Sequence, residues 1–378
     1  MTILIKKGIL TDGVSEMGAA KDILIEDGYI AEKGAEISQS ADYTIDADGC
    51  LVLPGLIDFH THVFEGGSDF GFNPDLVLST GVTALVDMGT SGSGNFEAFH
   101  RAVSARTMET AAFLNISAMG QMGTGLNENL DPCLVNEGRI EELFQENPDF
   151  LLGIKVRISK AIAGKWGTEP LKKALEMGER LEKPVCVHVT DPCVDMDEVA
   201  AMLRKGDILC HMYHGKGSTI LKEGRVSQAV WEARRRGVIF DAANGRTNFD
   251  FSVAEPAMKE GFVPQIISTD MTKATVNQGS LVRNLPYIMS KYLSLGMGLP
   301  EIVKAASYTP AVCMGRADRL GSLEIGKEGS ITIVKRKSGD FIFSDAAGNK
   351  RHGGEMLIPL MTIRRGLVLF DNNELDRE

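Results

Sequence analysis

The sequence lacks the features that mark exported, membrane-spanning and disulfide-bonded proteins. Its first residues show no basic segment followed by an apolar core, and no window approaches the roughly 18 consecutive apolar residues of a membrane span. The six cysteines are widely spread and form no C-x-x-C pair, which is typical of thiols in a reducing compartment. We therefore expect a cytoplasmic protein.

Positive charge is also scarce. The 378 residues include 40 Lys and Arg against 51 Asp and Glu, so the formal net charge is −11 with histidine neutral. Such a chain would be repelled by a phosphate backbone, which disfavours nucleic-acid binding. Hydrophobic residues make up 43% and charged residues 24% of the chain, as in ordinary globular proteins. The composition therefore predicts a folded protein with a large core.

The middle of the chain repeats a simple pattern. Short apolar runs alternate with polar or glycine-rich loops and with segments of helical periodicity, which is typical of βα units in a parallel sheet. Eight runs occur, namely Leu51–Phe59, Thr83–Met88, Ala112–Ala118, Phe150–Ile158, Pro184–Val189, Ile208–Met212, Val238–Ala242 and Gln265–Thr269. Eight such units indicate a (β/α)8 TIM-like barrel, which we assign to residues 54–315.

Both ends of the chain differ from this pattern. Short β-like runs separated by glycine and aspartate occur at Ile3–Leu10, Lys21–Glu26, Tyr29–Ala31, Ser330–Lys335, Phe341–Phe343 and Met361–Leu369. We predict that residues 1–53 and 316–378 together form one small β-sandwich domain. The fold class is thus α/β, with a barrel and an accessory domain built from both termini.

A glycine- and serine-rich segment, Gly89–Gly94, follows the second apolar run. It lacks the Lys-Ser/Thr pair of a phosphate-binding loop. We interpret it as a mobile loop at the top of the barrel.

The sharpest chemical feature is the strand-like segment Pro54–His62, which ends in two histidines two residues apart. Alternate residues of a strand share a face, so His60 and His62 can point together into the mouth of the barrel. By itself this pair is equally compatible with ordinary hydrogen bonds at a strand end. Three further residues of ligand type end other apolar runs, namely His188, His211 and Asp270, where barrel enzymes place their active sites.

A lysine, Lys155, lies inside the apolar run Phe150–Ile158. A buried ammonium group needs an anionic partner, a shifted pKa or a chemical modification. Reaction with carbon dioxide would convert it to a carbamate, an anionic group with two oxygen ligands that can bridge two cations. Arg157 shares the strand face of Lys155, and its planar fork suits an oxyanion or a carboxylate. Pairing of Arg157 with a neighbouring barrel carboxylate is the structural alternative.

Two cysteines precede the later histidines. Cys186 shares the strand face of His188 and is expected to pack one layer below it, whereas strict alternation points Cys210 away from the face of His211.

These motifs resemble the amidohydrolase superfamily of metal-dependent hydrolases, in its binuclear branch. The likeness includes the entry Leu53–His60, the exit Ser307–Ala311 and the segment Gly321–Gly329, with Gly329-Ser330 departing from the usual Ala-Asp. The resemblance implies that His60 and His62 bind the more buried metal and that His188 and His211 bind the more exposed one. It also implies that carboxylated Lys155 bridges both ions.

In the same family pattern Asp270 contacts the buried metal and carries a proton during hydrolysis by a hydroxide that bridges the metals. Histidine nitrogen and carboxylate-type oxygen suit zinc, manganese or iron, and zinc is the default. Two divalent ions with a carbamate, Asp270 and a hydroxide leave a site of about +1, which favours an anionic small-molecule substrate.

Within the superfamily the chain looks most like a deacetylase group close to dihydroorotases. This implies cleavage of an acetyl ester or amide of a small 2-hydroxy or 2-amino carboxylic acid. The alternatives are a dihydroorotase-like cyclic amide hydrolase, an adenine deaminase and a non-catalytic barrel scaffold. Phe64 stands where dihydroorotase-like relatives usually carry a substrate-binding arginine. Weaker candidates for substrate binding are Tyr213, His214, Lys216, Asn244 and Arg246, and oligomerisation, frequent in such barrels, stays open.

Overall fold

The computed structural model describes residues 1–14 and 20–376. Within these residues the strands are β1 Thr2–Leu10, β2 Ala20–Glu26, β3 Tyr29–Gly34, β4 Tyr43–Asp46, β5 Leu51–Pro54, β6 Leu56–Thr61, β7 Val82–Gly92, β8 Glu109–Asn115, β9 Leu151–Arg157, β10 Val185–His188, β11 Ile208–Cys210, β12 Leu221–Lys222, β13 Arg225–Val226, β14 Ile239–Asp241, β15 Ile331–Ser344, β16 Lys350–Arg364 and β17 Leu367–Asp371.

Helices fill most of the connections between the parallel strands. They are α1 Phe96–Ser104, α2 Glu137–Glu146, α3 Lys160–Ala163, α4 Glu169–Arg180, α5 Met196–Met202, α6 Gln228–Arg236, α7 Phe251–Lys259, α8 Leu285–Ser294, α9 Leu299–Ala306 and α10 Tyr308–Cys313. Short 3-10 helices occur at Pro74–Thr80, Pro132–Leu134 and Gly164–Trp166. None of the helices in the described ranges has the length and apolar character needed to cross a bilayer.

Seven parallel strands form the curved sheet of the barrel, in the order β14-β11-β10-β9-β8-β7-β6. The eighth apolar run closes it without forming a regular strand. Ile266 is bridged to Asp241 of β14, and Met271 is bridged to Thr61 of β6, both in parallel. The predicted (β/α)8 barrel is therefore confirmed, with an irregular last segment that delivers Asp270 to the site.

The other sheet has eight strands and joins both ends of the chain, in the order β17-β16-β15-β5-β1-β2-β3 with β4 beside β1. Its alternate side chains, such as Ile5, Ile25 and Ile333, form a separate apolar core. The predicted run Leu51–Phe59 is two strands, because β5 pairs with β1 and β15 while β6 starts the barrel.

An ion-pair network joins the barrel to this sheet. Glu109 at the start of β8 pairs with Arg316, Arg319 and Arg364, the last of which lies on β16. Burial opposes ionisation of Glu109, but the hydrogen bond from Arg319 and the nearby guanidinium charges outweigh it and hold its pKa at about 2. These ion pairs hold the accessory sheet against the amino-terminal end of β8 in the barrel.

Replacement of the buried Lys291 on α8 by methionine should stabilise the fold in a pH-dependent way. Burial lowers the pKa of Lys291 to about 7, whereas the pKa of an exposed lysine is about 10.4. Between these values the unfolded chain binds one proton more than the folded chain, so the wild type gains stability as pH rises from about 7 to about 10. The variant should be more stable by at most about 4 kcal/mol at pH 7, and the difference should shrink towards pH 10.

Urea unfolding of both proteins at the two pH values measures this difference. The exposed Lys172, replaced by methionine in parallel, should show almost no pH-dependent change. A stabilisation by Lys291→Met that stays constant or grows with pH would contradict the assignment.

Candidate active site

A cavity of about 440 Å³ lies at the carboxyl ends of the barrel strands. Its wall includes the six side chains that the sequence predicts as metal ligands, namely His60, His62, Lys155, His188, His211 and Asp270. They come from the ends of five different barrel segments, because parallel strands bring their carboxyl ends to one rim. The fold therefore collects residues that are up to about two hundred positions apart.

The early histidines and Asp270 lie close together. The Nε2 atoms of His62 and His60 lie 3.2 and 3.6 Å from Oδ1 of Asp270. The ring of His211 lies near both His60 and His188, and the distances between ring centroids are 5.0 Å to His60 and 4.4 Å to His188. These side chains form one continuous cluster around the cavity floor.

The prediction that Cys210 points away from the face of His211 is wrong. Strand β11 ends at Cys210, and His211 adopts a left-handed backbone conformation with φ of 63°. This turn breaks the alternation of side chains, which holds only in extended backbone. Both Cys210 and His211 consequently face the barrel interior, where Cys210 lies 3.2 Å from Nζ of Lys155.

Lys155 is buried, with 1% of its surface exposed. Its Nζ lies 3.5 Å from Nε2 of His60, 3.2 Å from Sγ of Cys210 and 3.7 Å from Sγ of Cys186. Among the described residues, Lys155 makes no ion pair with a carboxylate. A buried ammonium without a carboxylate partner is costly, so a charged Lys155 is an unusual group at this position.

Two glycines leave space for the side chains of Lys155 and Asp270. A Cβ on Gly89 would lie 2.5 Å from Cβ of Lys155, and one on Gly245 would lie 2.3 Å from Oδ2 of Asp270. Both glycines also have positive φ, at 77° and 53°, which favours residues without a Cβ. The interpretation of Gly89–Gly94 as a mobile loop is wrong, because β7 extends through Gly92 and Gly89 packs against Lys155.

Outer hydrogen bonds orient three of the histidines. Nδ1 of His60 lies 3.2 Å from Oδ2 of Asp241, and Nδ1 of His211 donates to the carbonyl of Ala243 at 2.7 Å. Nδ1 of His62 donates to the hydroxyl of Thr90 at 2.8 Å, and that hydroxyl donates to Asp87 at 2.7 Å. Partners of this kind fix the ring and leave Nε2 free to bind a metal.

Sequence reasoning missed these outer partners. The signal was present, since Asp87 and Asp241 each interrupt an apolar run near its carboxyl end. Both aspartates are fully buried. Burial raises the pKa of Asp241 to about 7, against the opposing hydrogen bond from Ser268.

His60 and His188 are neutral at physiological pH. Burial, reinforced by the charge of Lys155, lowers the pKa of His60 well below its ordinary value. Burial, with His211 next to it, does the same for His188. A neutral imidazole offers a lone pair, so both rings are ready to act as ligands without prior loss of a proton.

Asp270 is held by a residue that the sequence did not identify. Nδ2 of Asn248 donates to Oδ2 of Asp270 at 2.7 Å, and Oδ1 of Asn248 accepts from the hydroxyl of Thr190 at 2.8 Å. Both partners line the cavity. One carboxylate oxygen of Asp270 is thus fixed by an amide, while the other faces His60 and His62.

Arg157 lines the cavity and forms an ion pair with Glu128. Its Nε and Nη2 donate to the two carboxylate oxygens of Glu128 at 2.5 and 2.6 Å. The side chain of Glu128 is fully buried, whereas that of Arg157 is 16% exposed. The alternative of a carboxylate partner for Arg157 is therefore realised, and only the Nη1 side of the guanidinium and one Nη2 proton remain for a substrate.

The weaker substrate candidates divide into two groups. Lys216 and Arg246 are exposed on the cavity wall. Tyr213, His214 and Asn244 are buried off that wall, which corrects their prediction.

The reasons lie in packing. Tyr213 belongs to the core, and its hydroxyl donates to the carbonyl of Phe262 at 2.6 Å. Oδ1 of Asn244 accepts from the hydroxyl of Tyr292 at 3.3 Å. Nδ1 of His214 accepts from the backbone of Lys216 at 3.3 Å, and burial lowers the pKa of His214 to about 4.

The donor set fits divalent cations. One oxygen of Asp270 and one nitrogen each of His60 and His62 lie within 4.8 Å of one another, a spacing that a single ion can draw together. Imidazole nitrogen with carboxylate oxygen is the donor chemistry of zinc, manganese and iron sites. The residues present therefore suit the binding of metal by this cluster.

Comparison with known proteins gives a consistent picture. The sequence model of the Amidohydrolase family matches residues 51–353. A deacetylase from Enterococcus faecalis is 32% identical over 369 residues, which cover 96% of this chain and 99% of that protein.

Solved structures show the same likeness. A crystal structure of an adenine deaminase has a TM-score of 0.90 at 32% identity and covers 98% of this chain and 99% of its own. A crystal structure of a dihydroorotase has a TM-score of 0.89 at 29% identity, with 98% of both chains covered. The similar proteins thus include three different described activities.

Proposed function

Since this chain belongs to the amidohydrolase family and is a hydrolase, we propose that it is a binuclear metal-dependent deacetylase. The proposed substrate is an acetyl ester or amide of a small 2-hydroxy or 2-amino carboxylic acid. In this proposal residues 54–315 are the catalytic domain, and residues 1–53 and 316–378 form the accessory domain. The similarity to a deacetylase over nearly the whole of both chains supports the reaction class.

One observation carries the two-metal part of the proposal. Lys155 is buried, its Nζ lies 3.5 Å from Nε2 of His60, and it has no carboxylate partner among the described residues. Carboxylation by carbon dioxide releases one proton and turns the amine into an anion with two oxygen atoms. That anion would balance cationic charge on both sides, with His60 and His62 holding one ion and His188 and His211 the other.

When bound, the two ions, in our proposal zinc, would activate water and polarise the scissile carbonyl. The protein supplies the remaining steps. Asp270, with Oδ2 held by Asn248, would accept the proton of the attacking water on Oδ1 and return it to the leaving oxygen or nitrogen. Thr90 and Asp87 keep His62 oriented throughout, and Asp241 does so for His60.

The cavity rim supports an anionic substrate. Lys216 and Arg246 face the cavity from two loops, and neither makes an ion pair within the described part of the chain. Arg157 adds its remaining N–H groups from a third side, but Glu128 already offsets its charge. A substrate carboxylate would therefore bind Lys216 and Arg246, with its acetyl group towards Lys155 and Asp270.

The alternatives are less well supported. Phe64 is buried and stacks edge-on against Phe99, with ring centroids 5.4 Å apart, so the dihydroorotase-type arginine has no counterpart at this position. An adenine deaminase binds a neutral base, for which an unpaired cationic rim has no use. A non-catalytic scaffold would not need every predicted ligand, all of which lie on the cavity wall.

The function is tested by metal analysis with a substrate screen. We expect about two equivalents of divalent metal per chain, and hydrolysis of acetylated hydroxy or amino acids by protein loaded with metal and bicarbonate. Acetate release and product formation are measured for both enantiomers of each compound. Dihydroorotate and adenine are run in the same assay, and turnover of either with no acetate release would overturn the proposal.

Removing the cationic rim should weaken substrate binding. Because a charged hydrogen bond contributes about 1.5–3 kcal/mol, Arg246→Ala or Lys216→Ala should raise KM roughly 10- to 100-fold for a carboxylate substrate while kcat changes little. The methyl ester of the same acid should show almost no change in KM. Arg225→Ala, at an exposed arginine outside the cavity, is the control, and equal losses for acid and ester would contradict this role.

A further inference from the structure

A second group of metal-ligand atoms lies beside Lys155. Ligand atoms of His60, Cys210 and His211 all fall within 4.8 Å of one another, and all three residues are buried. By the same measure, the only other such group among the described residues is His60, His62 and Asp270. His60 belongs to both groups, so the two sets of ligands compete for one imidazole.

The chemistry of this group differs from that of the proposed two-metal site. One sulfur and two imidazole nitrogens form a softer donor set, which suits zinc, cobalt and cadmium. A tetrahedral ion with bonds of about 2.1–2.3 Å holds neighbouring ligand atoms roughly 3.5 Å apart. The three side chains would need to close by little more than about 1 Å, which side-chain rotation can supply.

Lys155 lies next to the residues of this group. Its Nζ lies 3.2 Å from Sγ of Cys210 and 3.5 Å from Nε2 of His60, so the amine borders the position that a sulfur-bound ion would take. As a neutral amine it can donate a lone pair to that ion. As a carbamate it offers two oxygen atoms beyond Nζ and carries negative charge, which favours the two-metal arrangement.

We propose that His60, His211 and Cys210 bind a single divalent cation as a thiolate site when Lys155 is not carboxylated, and that carboxylation replaces this site with the two-metal arrangement. Binding breaks the S–H bond of Cys210, forms a sulfur–metal bond and releases the proton to solvent. The amine of Lys155 loses its extra proton in the same way. The two-metal half of this inference rests on the proposed function, whereas the thiolate half does not.

Cobalt provides the test, because a cobalt–thiolate bond has its own charge-transfer absorption. Metal-free protein carrying Cys133→Ser, which removes the exposed thiol, is titrated with Co²⁺ in buffer free of carbon dioxide. We expect one bound equivalent together with the charge-transfer band. Added bicarbonate should then remove the band and raise the bound metal to about two equivalents.

Matched variants identify which cysteine supplies the sulfur ligand. Cys210→Ala should abolish the band and weaken binding of the first Co²⁺. The loss in affinity should exceed the roughly 10–100-fold that follows when a residue hydrogen-bonded to a metal ligand is removed. Cys186→Ala is the control, since Cys186 also contacts Lys155 but lies outside the ligand group. X-ray absorption of the wild-type zinc form in buffer free of carbon dioxide should show one sulfur neighbour at about 2.3 Å, and this readout does not depend on how the variants fold.

The outcomes separate the two proposals. Absence of both the band and a sulfur neighbour in the wild type, or a band that survives Cys210→Ala, overturns the thiolate site. A protein that shows the band but never hydrolyses acetyl compounds contradicts only the proposed function. Hydrolysis with two metals and no sulfur ligation under any condition contradicts only the thiolate site.

Discussion

Substitution of Lys155 by alanine is expected to lower hydrolysis at least about 10³-fold, because it removes several kcal/mol of transition-state stabilisation. Alanine deletes the buried nitrogen that lies 3.5 Å from His60 and with it the group proposed to bridge both ions. Bound metal should fall from about two equivalents to about one or fewer. Metal analysis and initial rates of acetate release measure both effects on the same preparation.

A chemical rescue makes this test specific. The truncated side chain leaves space against Gly89, so a small added carboxylate such as acetate or formate should enter and restore part of the metal content and the rate. Lys172→Ala, at an exposed lysine on α4, serves as the control and should keep both at wild-type levels. Retention of two metals and full turnover without Lys155 would remove the lysine from the reaction.

Asp270→Asn is expected to reduce kcat by roughly 10²- to 10⁴-fold, the usual worth of a positioned acid or base. Asparagine keeps the shape of the side chain and can accept on one oxygen, but it cannot take up a proton. KM should change much less than kcat, because Asp270 is not proposed to hold the substrate carboxylate. Steady-state kinetics over a range of pH give both constants.

The pH profile distinguishes a proton carrier from a ligand alone. In the wild type the rate should fall at acidic pH as the base becomes protonated, and this limb should be lost in the variant. Asp340→Asn, at an exposed pair with His352, is the matched control. A variant that loses metal but keeps the acid limb would show that Asp270 binds metal without carrying the proton.

Much of the site could be predicted from the residues at the ends of the strands. His60, His62, His188, His211 and Asp270 each follow an apolar run, and a parallel barrel brings all such ends to one rim. Lys155 stood out because an apolar strand rarely contains a lysine. The family pattern then supplied the ligand roles, and the membership itself is confirmed by the match over residues 51–353.

Predictions failed where the backbone departs from regular geometry. Alternation along a strand gave the wrong direction for Cys210, because His211 turns into the left-handed region at the strand end. Glu128 and Asn248 lie in loops without a periodic pattern, so their pairing with Arg157 and Asp270 had no signal in the sequence. Asn244 looked like a loop residue but is buried beneath the rim.

The order of apolar runs predicted the barrel, and the polar residues at the strand ends carried the resemblance to the family, because hydrophobic periodicity and residue chemistry are local properties of a chain. Which side chains meet is a long-range property, and only the closed barrel fixed it. Tertiary structure placed the thiols of Cys186 and Cys210 beside Lys155, paired Arg157 with Glu128, and left Lys216 and Arg246 exposed on the cavity wall without an ion pair among the described residues. Contacts between distant segments depend on how the sheet closes and how loops pack, which no local pattern encodes.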